Sequence, residues 1–204
     1  MSIKVIGTRG CGSVIAEAAL LLSKVDFDRE EVDYEKPTPE FLALNPLGQV
    51  PTIVMPDGSI MTETAAFALW LDGEHPGAAL LPPAGDPQRA HALRWLVYLV
   101  AAIYPTFTFG DDPEKFVPAG PAAEALRAST HARREHCWRQ VEAAAAGPFF
   151  LGARFSIIDV YVCVITHWRP RRPWFAEHAP KISAIATAVD VMPLLAPLWA
   201  ANFD

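Results

Sequence analysis

Apolar and polar positions change period several times along the first third of the chain. "IKVI" at residues 3–6 has the length of a strand, while "VIAEAALLLSKV" from Val14 places apolar residues at helical spacing. "FDREEVDY" then reads as a second strand and "TPEFLAL" as a short helix. A βαβα order with a crossover of that length predicts two neighbouring parallel strands. After Pro51, "TIVM" and "SIMTE" flank the turn signal "PDG", which predicts a hairpin. "TAAFALWLDGEH" returns to helical spacing through Phe67, Leu69, Trp70 and Leu71, with Gly73 and Pro76 near its end. Residues 1–76 are thus read as one βαβα-ββα domain.

Residues 77–86 lie within "PGAALLPPAGDPQR", whose prolines and glycines mark a linker between packed units. From residue 87 to residue 204 the pattern predicts helices only, including "PQRAHALRWLVYLVAAIY", "GPAAEALRASTHARREHCWRQVEAAAA", "SIIDVYVCVITHW" and "PKISAIATAVD". "FSIIDV" has the parts of a helix start: Ser156 to cap, Asp159 to reach back and Phe155 to staple. The basic cluster "HWRPRRPW" reads as a solvated turn because of its two prolines.

Composition narrows the class. Hydrophobic residues make up 51% of the 204 and charged residues 20%, which is globular and far from disordered. The net charge of −6 works against nonspecific nucleic-acid binding. Apolar runs such as Leu93 to Ile103 are interrupted by Arg94 or too short for a membrane span, and no leader pattern follows Met1, so a cytoplasmic location is expected. Cys11, Cys137 and Cys163 are odd in number and lack metal-ligand spacing, which predicts reduced thiols and no metal; Cys137 and Cys163 fall within helical stretches as packing residues.

"GQVPTIV" sets a proline at a strand entrance, where a residue without an N–H marks an edge, a bulge or a cis peptide bond. A cis bond leaves the N–H and C=O of Val50 open to a peptide-like ligand. This segment, the βαβα-ββα order, "DGSIMTETAA" before a helix and the later "FSIIDVYV" together resemble the glutathione transferase superfamily over nearly the whole length. The resemblance implies an α/β plus all-α fold: a thioredoxin-like N-terminal domain, an all-helical C-terminal domain and a homodimer. It implies glutathione as co-substrate with no other cofactor and a small hydrophobic electrophile as second substrate; the charge and the short apolar runs predict neither nucleic acid nor membrane as partner. Pro51 matches the family's cis-proline beside Val50. Glu63 and Thr64 match the pair that holds the γ-glutamyl end, the carboxylate of Glu63 meeting an ammonium and the Thr64 hydroxyl with helix-start amides meeting a carboxylate. Gln49 and Asn45 are possible polar contacts or turn residues.

"TRGCGSV" spans the loop where the family keeps its thiol-activating residue, at a helix N-terminus that favours a thiolate. The loop has no tyrosine, and Cys11 stands one residue ahead of the beta-class cysteine position, which Gly12 occupies. Ser13 is expected to donate to the glutathione sulfur, or else to cap the helix. Cys11 could instead form a mixed disulfide, although Val14 stands where a C-x-x-C partner would be. Arg9 adds positive potential near the ligand or faces water. Tyr104, Phe107, Trp168 and Trp174 are candidate walls of the second-substrate pocket, or core. The leading expectation is glutathione S-transfer. The alternatives are a thiol-disulfide reductase using Cys11 and a glutathione- or ligand-binding protein with little turnover.

Overall fold

In strand β1 (Ile3–Gly7), Ile3, Val5 and Ile6 are buried, and the strand pairs with neighbours on both sides. The computed structural model describes residues 2–203. On one flank β1 runs parallel to β2 (Phe27–Glu31), in register from Ile3 opposite Phe27 to Gly7 opposite Glu31. On the other it runs antiparallel to β3 (Thr52–Val54), which pairs with β4 (Ile60–Met61), giving the order β2-β1-β3-β4. The charged sequence of β2 suits an outer edge, where unpaired backbone must not recruit another strand.

Helix α1 (Ser13–Leu22) is buried continuously from Ser13 to Leu20, because it packs against β1, the later α3 (Thr64–Glu74) and the helical domain. Even Glu17 is enclosed, and its carboxylate pairs with Arg29 of β2 at 3.4 Å. The short α2 (Pro39–Leu44) starts under Thr38, whose hydroxyl accepts from the N–H of Phe41. Residues 79–88 contain neither helix nor strand. They are nevertheless docked: the N–H of Leu81 donates to Asp72 and the C=O of Leu80 accepts from Ile157 at 2.7 Å.

The remainder of the described chain is helical: α4 (Arg89–Tyr98), α5 (Tyr104–Asp111), α6 (Pro121–Ala144), α7 (Ile157–Thr166), α8 (Arg172–His178), α9 (Pro180–Asp190) and α10 (Ala196–Phe203). The fold is therefore a thioredoxin-like domain with a small mixed sheet, followed by an all-helical domain. Every residue of α7 is buried, making it the core helix of the second domain. Its start follows the expected pattern: Asp159 accepts from the Ser156 N–H at 2.8 Å and also from the Phe150 N–H. Burial pushes the Asp159 carboxyl up to about 6 despite these donors.

Two sequence expectations need correction. The segment around Leu93 to Ile103 belongs to a continuous helix, Arg89–Asp111, that is long and apolar enough by length and composition to cross a membrane. Leu96, Leu99 and Ile103 are fully buried on its inner side, about a third of its apolar stretch is enclosed, and a π-helical turn (Leu99–Ile103) followed by Pro105 interrupts its regular bonding. Nor is "HWRPRRPW" only a solvated turn. Arg169–Pro170 is cis, α8 begins at Arg172, and the Arg172 guanidinium grips Asp190 at 2.9 and 3.0 Å while also reaching His167 and the Cys163 carbonyl. Cys163, His167 and Asp190 have ligand atoms within 4.8 Å of one another, but the guanidinium already supplies the positive charge among them. Cys137 and Cys163 are buried free thiols.

Burial alone raises the pKa of Asp190; hydrogen bonds from His167, Arg172 and Cys163, with the Arg172 charge, outweigh it and hold the group at about 2. The folded value is depressed, so the cluster's contribution is complete above the unfolded carboxyl value of about 3.9 and is lost as pH falls through about 2. In urea unfolding at a series of pH values, Asp190→Asn is expected to be less stable than wild type at neutral pH and to lose part of the acid-induced decline between about pH 4 and pH 2. An unchanged decline would mean that other carboxyls carry it.

Candidate functional site

The sheet register gathers three loops at one end. Ile6 lies opposite Thr52 and Ile53 opposite Met61, so the exit of β1, the entrance of β3 and the exit of β4 share an edge. That edge carries Thr8–Gly12, Val50–Pro51 and Glu63–Thr64. Val50–Pro51 is cis. The N–H and C=O of Val50 have no hydrogen-bond partner among the described residues, so this stretch presents free backbone beside β3.

The neighbouring turn is fixed from within. Asn45 is buried, donates to the Gln49 carbonyl and to the Thr52 hydroxyl at 2.9 Å each, and accepts from the Leu47 N–H. Its polar atoms are thereby spent on the turn, which corrects its candidacy as a ligand contact. Gln49 is exposed, with its carbonyl tied to Asn45 and Thr52 and its side chain directed to no described partner.

Glu63 is exposed and adopts φ 64°, a conformation that non-glycine residues avoid and that recurs at functional positions. It immediately precedes α3, whose N-terminus has no side-chain cap, so no side chain satisfies its first-turn N–H groups. Thr64 is buried, and its hydroxyl accepts from Tyr161 of α7 at 2.7 Å. The Thr64 proton remains available for a further acceptor.

The loop before α1 is held by the helical domain. The Gly10 N–H donates to Asn202 of α10 at 3.1 Å, and the Gly10 carbonyl accepts from the Trp168 indole at 2.7 Å. Gly10 has φ 72°, which glycine adopts without strain. Arg9 is exposed in the same loop. Cys11 is half-buried, and burial pushes its thiol up, with a hydrogen bond from Tyr34 offsetting part of the effect and nearby Glu35 adding to it.

Ser13 departs from the expectation that it faces a ligand sulfur. It is fully buried against Gly7, where any added Cβ would come 2.5 Å from the serine side chain. Its Oγ donates to the Thr8 carbonyl at 3.2 Å and accepts from the Thr8 N–H at 3.3 Å. The hydroxyl therefore ties α1 to the end of β1; it does not cap the helix either, since Gly12 is the N-cap and no described side chain bonds to the first-turn amides.

Three of the four aromatic candidates assemble beside this loop. Trp168 meets Tyr104 at a ring-centre separation of 5.5 Å and Phe107 at 5.1 Å, and Tyr104 reaches Tyr161 at 6.3 Å. Arg134 is a buried residue with no sequence signal for its role: its guanidinium covers Phe107 at 3.8 Å and bonds to the hydroxyl and carbonyl of Thr106. Burial lowers its pKa to about 10, leaving it charged at neutral pH. Trp174 does not join the cluster; it packs on Phe175 and His178 with Arg139 nearby. Asn202 and Tyr161 were likewise silent in the sequence, since each acts on a residue more than ninety positions away.

Residues 14–74 match the family model for the glutathione S-transferase N-terminal domain. The chain is 39% identical over 197 residues, 95% of each protein, to the uncharacterized GST-like protein YncG of Escherichia coli K12. It is 29% identical over 166 residues, 78% of each, to glutathione S-transferase GstA of Escherichia coli O157:H7. Its fold superposes with a TM-score of 0.85 and 24% identity on a Sulfitobacter glutathione transferase homolog solved with bound glutathione, covering 100% of this chain and 99% of that one. A Methylococcus capsulatus glutathione transferase gives 0.75 and 26% over 98% of both chains.

The Trp168 clamp can be tested apart from any ligand. Trp168→Phe keeps ring packing but removes the N–H that meets Gly10, so a loss of about 1 kcal/mol in stability is expected. Hydrogen exchange should accelerate at residues 9–12. Unchanged exchange there would assign the clamp to Asn202 alone.

Proposed function

The chain belongs to the glutathione transferase superfamily, and from that membership we propose that it conjugates glutathione to a small hydrophobic electrophile. The observation that carries the proposal is Glu63, an exposed carboxylate in a disfavoured backbone conformation directly before the uncapped N-terminus of α3. This pairing suits the two charges of a γ-glutamyl group: the carboxylate receives the ammonium, and the helix amides with the Thr64 hydroxyl receive the α-carboxylate. Free Val50 backbone beside cis-Pro51 supplies a donor and an acceptor for the cysteinyl peptide unit. Gln49 and Arg9 are the outer contacts of the same ligand. The glutathione thiol then lies toward the start of α1, loses its proton to solvent, and attacks the electrophilic carbon as a thiolate; a C–S bond forms and any leaving group departs with its electron pair.

Phe107 and Trp168, next to Tyr104, form the apolar side toward the electrophile. The thiol of Cys11 favours transfer over the reductase alternative, because burial raises its pKa and leaves it protonated, whereas attack on a disulfide requires the thiolate. A binding protein with little turnover would hold glutathione yet fail with varied electrophiles. Reduced thiols accord with a cytoplasmic location.

Glu63→Ala is expected to weaken glutathione binding tenfold or more in calorimetry, with the fold unchanged by circular dichroism. Unaltered affinity would remove Glu63 from the site and the proposal's main support with it. We also propose a homodimer, consistent with a surface hollow beside the β4 edge lined by Met55, Ile60, Met61 and Trp70. Light scattering at micromolar concentration should give twice the chain mass, and a monomeric mass would count against this assembly.

A further inference from the structure

The hydroxyl of Tyr104 is shut off from solvent and has no hydrogen-bond partner among the described residues. Buried phenols ordinarily find one, because an unpaired polar group removed from water is destabilising. The place where this hydroxyl lies is specific. Gly12 caps α1, and a methyl group added there would stand 3.2 Å from the Tyr104 oxygen. The phenol thus rests against the first turn of α1, a helix of 10 residues whose N-terminal amides favour an anion. The Thr64 hydroxyl acts on the phenol oxygen as a neighbouring hydrogen-bonding group, and Cys11 and Glu63 act on it through charge, so it borders both ends of the loop edge described above.

The delivery of this side chain is equally specific. Tyr104 follows directly on the π-helical turn Leu99–Ile103 and precedes Pro105, two departures from regular helix that redirect the residue between them. Thr106 bonds to the Ile103 carbonyl, and the buried Arg134 fastens Thr106, so the turn is held open from behind. Tyr161, the other phenol in this neighbourhood, is already committed to Thr64. Of these two phenols, Tyr104 is the one whose proton is unused.

We propose that the Tyr104 hydroxyl, contributed by the helical domain, donates the hydrogen bond that stabilises the thiolate of bound glutathione, in the role first expected of Ser13. The inference rests on the glutathione-conjugation reading above. In this step the thiol proton passes to solvent, and Tyr104 keeps its own while sharing it with sulfur; no bond to the phenol is made or broken. Burial pushes the phenol well above its ordinary range, so it remains a donor across the pH range in which the thiolate forms. Gly12, having no side chain, keeps free the space beside the phenol oxygen that a methyl group would press into at 3.2 Å. Trp168 packs edge-on against the Tyr104 ring and bonds to Gly10, coupling the donor's position to that of the loop.

The test is Tyr104→Phe, which removes the oxygen and preserves the ring. Glutathione affinity is measured by calorimetry, and the pKa of the bound thiol by titrating thiolate ultraviolet absorbance. The expected result is affinity within about threefold of wild type at a pH where the thiol is protonated, a bound-thiol pKa raised by about one unit, and conjugation of a chloronitrobenzene about tenfold slower at neutral pH. The apoprotein should at the same time melt no lower than wild type, because the hydroxyl removed had no partner. A bound-thiol pKa unmoved by the substitution overturns the proposal, even if turnover falls, since the phenol then serves the electrophile. Glutathione binding in wild type with an unmoved pKa in the variant sinks only the role of Tyr104; failure of wild type to bind glutathione sinks this proposal together with the reading beneath it.

Discussion

Burial of α1 from both sides is the constraint on which the rest of the structure depends. Its residues Ser13 to Leu20 are enclosed, with the sheet and α3 on one side and α7 on the other. A helix apolar around most of its circumference cannot serve one domain alone. The helical domain is therefore a structural requirement of the first, and the loop entering α1 is fixed by Trp168 and Asn202. The same packing brings Tyr161 onto Thr64 and Tyr104 onto Gly12. Packing that completes the core also furnishes the edge of the candidate site.

Along that edge the usual economy of a folded protein is suspended in several places. Val50 leaves its backbone unpaired, Glu63 holds a disfavoured φ, the first turn of α3 is uncapped, and Tyr104 buries a hydroxyl without a partner. Each feature is individually tolerable, at about 1–3 kcal/mol for a strained or unsatisfied group. They converge on three loops joined by sheet register, and a peptide-like anion with an ammonium group would satisfy them together. The supporting residues Asn45 and Asp159, by contrast, commit their side chains to the protein's own backbone and side chains.

Much of the fold was legible because its signals are local. The period-two and helical runs, the "PDG" turn and the cap at Asp159 all report on neighbours a few residues away. Pro51 and Glu63 were legible as candidates because the order of elements around them resembles a known family, and the sheet register then puts both at one end. "HWRPRRPW" is illegible for the opposite reason: a proline-rich basic stretch looks solvated until Asp190, eighteen residues beyond Arg172, meets the guanidinium.

The sequence by itself determined the elements, their order and the division between a mixed α/β unit and a helical one, since periodicity and turn chemistry act over short range. It could not determine which hydroxyl lies free at the start of α1. Ser13 holds the right position in the chain, yet its side chain turns inward because Gly7 leaves room for it and Thr8 satisfies it. Tyr104 stands ninety-one positions later and arrives only through the π-helical turn, the Arg134 anchor and the meeting of the two domains. Side-chain direction within a packed interior is set by which surfaces close against one another, and that closure is decided by the tertiary structure alone.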